Sequence, residues 1–281
     1  MAAEIFVKKQ SGEMEAFDPG KLHASLRRAG ASSEMAGKVE EALKPFLTDG
    51  ISTATLYQKS FQILRKLRRS TAARYSLKKG IMELGPSGYP FEHFVGALLK
   101  HMGYSVEVGK MIEGDCIQHE VDVVAHNDHQ QLMVECKYYN SQSKQGNVKV
   151  PLYIHSRFSD IEKKMKGTPR LADRNFHGWV ITNTRFTTDA IEYGRCAGLH
   201  MVSWSYPKKE GLKEMIENAG LFPITVLTQM NKKQKQTLLE EDIVLCRQIL
   251  QKPGLLEKVG LTSRKREKIL DEIRDLVGDR A

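Results

Sequence analysis

No CxxC pair occurs in this chain, and its four cysteines (Cys116, Cys136, Cys196, Cys246) are scattered along 281 residues. That spacing argues against a zinc site and against a disulfide framework. No apolar run approaches the roughly 20 residues that a membrane span needs, so no membrane association is expected. The N-terminal stretch MAAEIFVKKQ has no hydrophobic signal-peptide core, and a cytoplasmic location is expected. No P-loop is present, which argues against ATP hydrolysis. An acidic excess is also missing: 43 Lys and Arg stand against 34 Asp and Glu, and the net charge of +9 suits a polyanionic partner. The Lys/Arg groups cluster at 65–70, 78–79, 163–170, 232–236 and 263–268, each readable alone as a solvated helix face.

What is present starts with composition and length. Hydrophobic content of 41% and charged content of 27% are those of a folded soluble protein, and the length allows two or three domains. The stretch HEVDVVAHNDHQQLMVECKYYN (119–140) alternates as a β-hairpin does. Val121, Val123 and Ala125 fall on one side, Glu120 and Asp122 on the other. After the turn, Leu132, Val134, Cys136 and Tyr138 face one way, and Met133, Glu135, Lys137 and Tyr139 the other. Asp122, Glu135 and Lys137 therefore fall on one face if the two strands pair in register. Two carboxylates side by side repel unless a cation lies between them. A hard divalent ion with oxygen ligands, such as Mg²⁺, fits that need. A structural ion-pair ladder fits the same spacing, and the residues alone leave both readings open. The preceding helix, 89–104, carries a core stripe of Phe91, Phe94, Val95, Leu98 and Leu99, with Glu92 near its start as a fourth acidic group. His126 and His129 sit in the hairpin turn without further ligands and read as turn residues.

The expected architecture is multidomain α+β in three segments. Residues 1–84 begin with a hairpin, IFVKK and MEAF, turned at Ser11-Gly12. Asp18 caps a helix with Pro19 at its first position, and three further helices follow to complete a four-helix unit. Val7-Lys8-Lys9…Gly12, Glu15-Ala16-Phe17-Asp18…Lys21-Leu22, Gly50-Ile51-Ser52-Thr53…Leu56-Tyr57 and Ala72-Ala73-Arg74-Tyr75 make this segment resemble the ATP-cone, a nucleotide-sensing domain. The resemblance implies that ATP or dATP binds as a regulator. Lys9 and Lys21 would meet phosphates, with Glu15 and Thr53 near the nucleotide and Arg74 as a further candidate. A degenerate cone that only packs or dimerises is the alternative.

Residues 89–206 alternate helix and strand, which predicts an α/β domain around a mixed sheet. Gly88-Tyr89-Pro90-Phe91-Glu92-His93-Phe94-Val95, Val121-Asp122-Val123-Val124, Val134-Glu135-Cys136-Lys137-Tyr138 and Val180-Ile181-Thr182-Asn183…Phe186-Thr187 make it resemble the Mrr-like members of the PD-(D/E)xK nuclease superfamily. The proline of that superfamily's name is absent before Asp122. The resemblance implies Mg²⁺-dependent hydrolysis of double-stranded DNA. Asp122 and Glu135, with the Cys136 carbonyl, would hold the metal, and Lys137 and Glu92 would complete the catalytic set. It further implies a homo-oligomer and a role in restricting foreign or modified DNA. An inactive, nucleotide-responsive DNA-binding regulator and a repair or junction-resolving nuclease are the alternatives. Residues 207–281 read as helical, with two faint helix-hairpin-helix halves around Asp242 and Gly260.

Overall fold

Gly12, at φ 91°, turns the chain between β1 (Phe6–Lys8) and β2 (Met14–Ala16), a conformation that costs a side-chain-free residue nothing. The computed structural model describes residues 5–9, 11–168 and 174–278. Parts of the N-terminal stretch and the end of the 163–170 basic cluster lie outside the described residues. Asp18 caps α1 (Pro19–Arg28) by accepting the Gly20 amide at 2.7 Å. α2 (Ser33–Leu43) follows behind Ser32, whose hydroxyl accepts the Met35 amide at 3.1 Å. β3 (Ile51–Ser52) pairs in parallel with β1 to complete a sheet in the order β2-β1-β3. Ser52 then caps α3 (Thr53–Leu67). The fourth expected helix is in fact two, α4 (Arg69–Tyr75) and α5 (Leu77–Met82), so this segment has five α-helices among the described residues. Ser76 lies between them, and its hydroxyl donates to the Ala73 carbonyl at 3.0 Å, competing with the helical ladder.

The central segment runs α6 (Tyr89–His101), β4 (Ser105–Glu113), β5 (Gln118–His126), β6 (Gln130–Lys137), β7 (Gln145–Gly146) and α7 (Lys149–Lys166). It continues with β8 (Asn175–Thr182), β9 (Arg185–Phe186), α8 (Thr188–Cys196) and β10 (His200–Val202). The main sheet has the order β10-β8-β6-β5-β4, antiparallel from β4 to β6 and parallel from β6 to β10. It is the mixed sheet that the alternation of helix and strand predicts. α6 buries Phe91, Phe94 and Val95 on one sheet face against Val123, Leu132 and Val134. α7 buries Ile154, Phe158 and Ile161 on the other, against Val124, Met133 and Val180. The chain ends in α9 (Leu212–Ala219), α10 (Lys232–Leu239), α11 (Cys246–Gln251) and α12 (Ser263–Val277). Asp242 and Gly260 both take left-handed conformations, φ 57° and 66°, in the turns before α11 and α12. No helix among the described residues is long and apolar enough to cross a membrane.

Two features depart from the sequence pattern. Val121 packs with Val124 on the α7 side, not with Val123 and Ala125 as strict alternation demands. Its neighbour across the ladder changes face too: Val106 and Val108 lie on the α6 side and Ile112 on the α7 side. Both switches bracket one step, Gly109 opposite Asp122, where Gly109 has φ 64° and the pairing passes from Val108↔Val123 to Lys110↔Val121. A left-handed glycine is what lets a strand change face in a single residue.

The second feature is the core. Leu77, Ile81 and Leu84 share one cluster with Phe91, Val134, Ile216, Ile249 and Ile273, so packing runs across the expected boundaries at 84 and 207. Polar contacts follow the same seam: Arg68 pairs with Asp275, and Arg74 donates to the Leu276 carbonyl at 2.7 Å while lying 5.5 Å over the Phe222 ring. Arg74→Ala is therefore expected to cost about 1.5–3 kcal/mol. A urea midpoint lowered without a change in slope would show it, and an unchanged midpoint would contradict it.

Candidate active site

The ladder between β5 and β6 closes at Val123↔Val134, and the next step brings Asp122 beside Glu135. Beyond the ladder, the Cys136 amide donates to Asp122 Oδ2 at 2.7 Å, so a side chain replaces the backbone partner. A residue's N–H and C=O leave a strand on the same side, which places the Cys136 carbonyl toward Asp122 as well. Glu135 is buried, 3% exposed, and its two oxygens are held by different cations: Lys137 Nζ at Oε1 and Arg157 Nη1 at Oε2, 2.9 Å away. Arg157 comes from α7, also donates to the Glu120 carbonyl, and lies over the Tyr153 ring. Glu92 stands in the first turn of α6, whose left-handed cap Gly88 approaches its Oε1. No hydrogen bond is made by the Glu92 carboxylate among the described residues.

The electrostatics show what this arrangement holds. Burial first, and then Glu135, push the Asp122 carboxyl up to about 6. Burial, followed by Asp122, Glu120 and Glu135, pushes Glu92 up to about 7. Burial pulls the Lys137 ammonium down, but Glu135 and Asp122 outweigh it and hold it above its ordinary value. Three carboxylates thus face two cations, and the surplus negative charge is unsatisfied. Hard oxygen donors with surplus charge fit a divalent cation such as Mg²⁺. The carboxylates are not drawn in: among the described residues, the trio with ligand atoms within 4.8 Å of one another is Asp115, Cys116 and Asp160. There Asp160 already accepts from the Cys116 and Ile117 amides at 2.9 and 3.4 Å and from His119 at 2.8 Å, which closes the turn before β5.

The nucleotide candidates gather in part. Lys9 reaches Glu15 at 2.7 Å and Lys21 pairs with the same carboxylate, which Lys21 and then Lys9 hold down at about 2. Lys9 and Thr53 line a cavity of about 600 Å³ together with Lys8, Ser52, Lys78 and Lys79. Arg74 is not among them. Its guanidinium instead donates to the Leu276 carbonyl of α12 and lies over the Phe222 ring.

Comparison with known proteins fits this layout. Residues 85–205 match the restriction endonuclease family model, and residues 222–277 match that of the AF1548-like C-terminal domain. An uncharacterized protein of Archaeoglobus fulgidus is 32% identical over 182 residues, 64% of this chain and 98% of the relative. The crystal structure of AF1548, a protein of unknown function, superposes with a TM-score of 0.54 at 31% identity over 68% of this chain and 98% of its own. The chain belongs to the AF1548-like family. The stretch that matches the restriction endonuclease model contains every member of the Asp122 cluster, including Arg157, which the sequence reading missed. Arg157 flanks the apolar stripe Ile154, Phe158, Ile161 as any solvated helix residue would, and only the α7–sheet packing reveals its partner.

Both raised carboxyls bind protons in the folded chain that the unfolded chain has released, so metal-free stability falls as pH rises from about 4 toward 7. Asp122→Asn keeps an acceptor for the Cys136 amide and removes the charge. It is expected to raise the metal-free melting temperature by on the order of 2–4 °C at about pH 8, and by far less at about pH 4. Calorimetric scans at the two pH values check this, and an equal shift at both would contradict it.

Proposed function

We propose that this AF1548-like protein is a divalent-metal-dependent DNA endonuclease. The carrying observation is the cluster of Asp122, Glu135 and Lys137 where β5 and β6 part, inside a stretch that matches the restriction endonuclease family. Asp122 and Glu135, with the Cys136 carbonyl, would hold Mg²⁺. Bound there, the ion would supply Lewis acidity at a phosphate oxygen and lower the pKa of a water. Lys137 orients the attacking water and stabilises charge that develops on the phosphate. Glu92, at the start of α6, accepts a proton or holds a water beside that site. Arg157 holds Glu135 Oε2 in place in the buried wall of the site.

Double-stranded DNA is the substrate this chemistry and the net charge of +9 favour. Restriction of foreign or modified DNA by a cytoplasmic homo-oligomer is the matching role. The cone-like segment would add regulation, with ATP or dATP bound but not hydrolysed near Lys9, Lys21, Glu15 and Thr53. Asp122→Ala and Lys137→Ala are each expected to lower plasmid cleavage in Mg²⁺ by at least about 100-fold while DNA binding in a gel-shift assay persists. Cleavage at the wild-type rate by both variants would overturn the assignment.

A further inference from the structure

Lys78 carries a positive charge into the junction between the first segment and the nuclease domain, and no carboxylate pairs with it among the described residues. Its ammonium donates to the Asn183 carbonyl at 2.8 Å and lies 4.4 Å from the Trp204 ring centroid. Burial, and then Arg185, pull its pKa down to about 8, as expected of a cation that lacks a counter-charge. Lys78 also lines the cavity that holds Lys9, Ser52 and Thr53, and Gln142 of the nuclease domain forms part of the same wall. Glu13 and Glu15 pair with Lys9, and Glu83 lies 3.7 Å from Lys79, but Lys8 and Lys78 have no acid among the described residues. The α3 N-terminus, capped by Ser52, opens into this space with its amide dipoles. The cavity therefore has an anion's worth of unbalanced charge, and two domains build its walls.

Beyond Lys78 the contacts lead straight to the nuclease strand. The Asn183 side chain accepts from the Tyr139 amide at 2.8 Å and donates to the Tyr139 carbonyl at 2.9 Å. Thr182 Oγ1 donates to the Lys137 carbonyl at 2.7 Å. The backbone that Lys78 holds is thus the one that fixes Lys137 and Tyr139.

Resting on the nucleotide reading of the first segment, we infer that the regulatory site is composite: the nuclease domain closes it, and Lys78 is the phosphate ligand that ties a bound nucleotide to the strand carrying Glu135 and Lys137. An ammonium has three N–H donors, so Lys78 can keep Asn183 and still give a charge-assisted bond to a phosphate oxygen. A nucleotide bound so stiffens the strand end, and the cleavage rate changes with it. A site confined to the cone would leave residue 142 without influence on binding.

The test is equilibrium binding of ATP to the full chain, wild type against Lys78→Met, Lys78→Arg and Gln142→Trp, with plasmid cleavage measured with and without ATP. Lys78→Met and Gln142→Trp are each expected to weaken ATP binding about tenfold or more, and Lys78→Arg to retain most of it. The ATP-dependent change in cleavage rate should vanish in Lys78→Met. Wild-type affinity in both Lys78→Met and Gln142→Trp would overturn the composite site and leave the cone reading standing. No ATP binding by the wild type would overturn both. Should Lys78→Met fail to fold, Gln142→Trp, on an exposed loop, decides the question alone.

Discussion

The ion pairs of Glu135 set the geometry of the candidate site. A carboxylate as buried as this one is tolerated only when its charge is met at both oxygens. Lys137, two residues on along the same strand, meets one, and Arg157, on the helix α7 that packs against this face of the sheet, meets the other. Losing a partner of such a pair costs about 3–5 kcal/mol, because the stranded charge remains buried. The pairing thereby locks α7 against the strand end, fixes which way Glu135 points, and gives Lys137 a single well-defined position. The rest of the site is arranged around that fixed point.

What Glu135 leaves unfinished, Asp122 and Glu92 display. Asp122 sits at the step where β4 and β5 change face together, and its carboxylate takes the amide of Cys136 that the ladder no longer uses. Glu92 is brought in from α6, on the other side of the sheet, through the tight entry at Gly88. Both carboxyls are held above their ordinary pKa, by burial first and then by the neighbouring acids. In the proposed reading, a divalent ion among these oxygens would offset that crowding and would supply Lewis acidity for phosphodiester hydrolysis. The Asp115, Cys116 and Asp160 trio lies closer together, yet its Asp160 carboxylate is taken by amides and His119, which closes a turn, and Asp115 pairs with Lys163.

Much of this was legible in the sequence. Alternation in 119–140 placed Glu135 and Lys137 on one face and the D…ExK spacing named the cluster; the apolar stripe of α6 put Glu92 within reach. Asp18-Pro19 and Ser52 gave the starts of α1 and α3. The missed features depend on information that a local pattern does not carry. Strand β4 alternates in SVEVGKMIE, but its role as the sheet edge and the face switch at Gly109 depend on pairing with β5. The split at Ser76 turns on one hydroxyl choosing a carbonyl. Arg74 and Arg157 are two arginines in similar helical surroundings, and only tertiary packing sends one to α12 and the other to Glu135. That one core cluster runs through the limits expected at 84 and 207 is likewise a matter of tertiary packing.

The most direct measurement is the anomalous diffraction of Mn²⁺ soaked into crystals of the intact chain at about pH 8, where both raised carboxyls are ionised. The account predicts a peak between Asp122 and Glu135, on the side of the Cys136 carbonyl and Glu92. No peak there, with Mn²⁺ bound only beside Asp115 and Asp160 or nowhere, would contradict it.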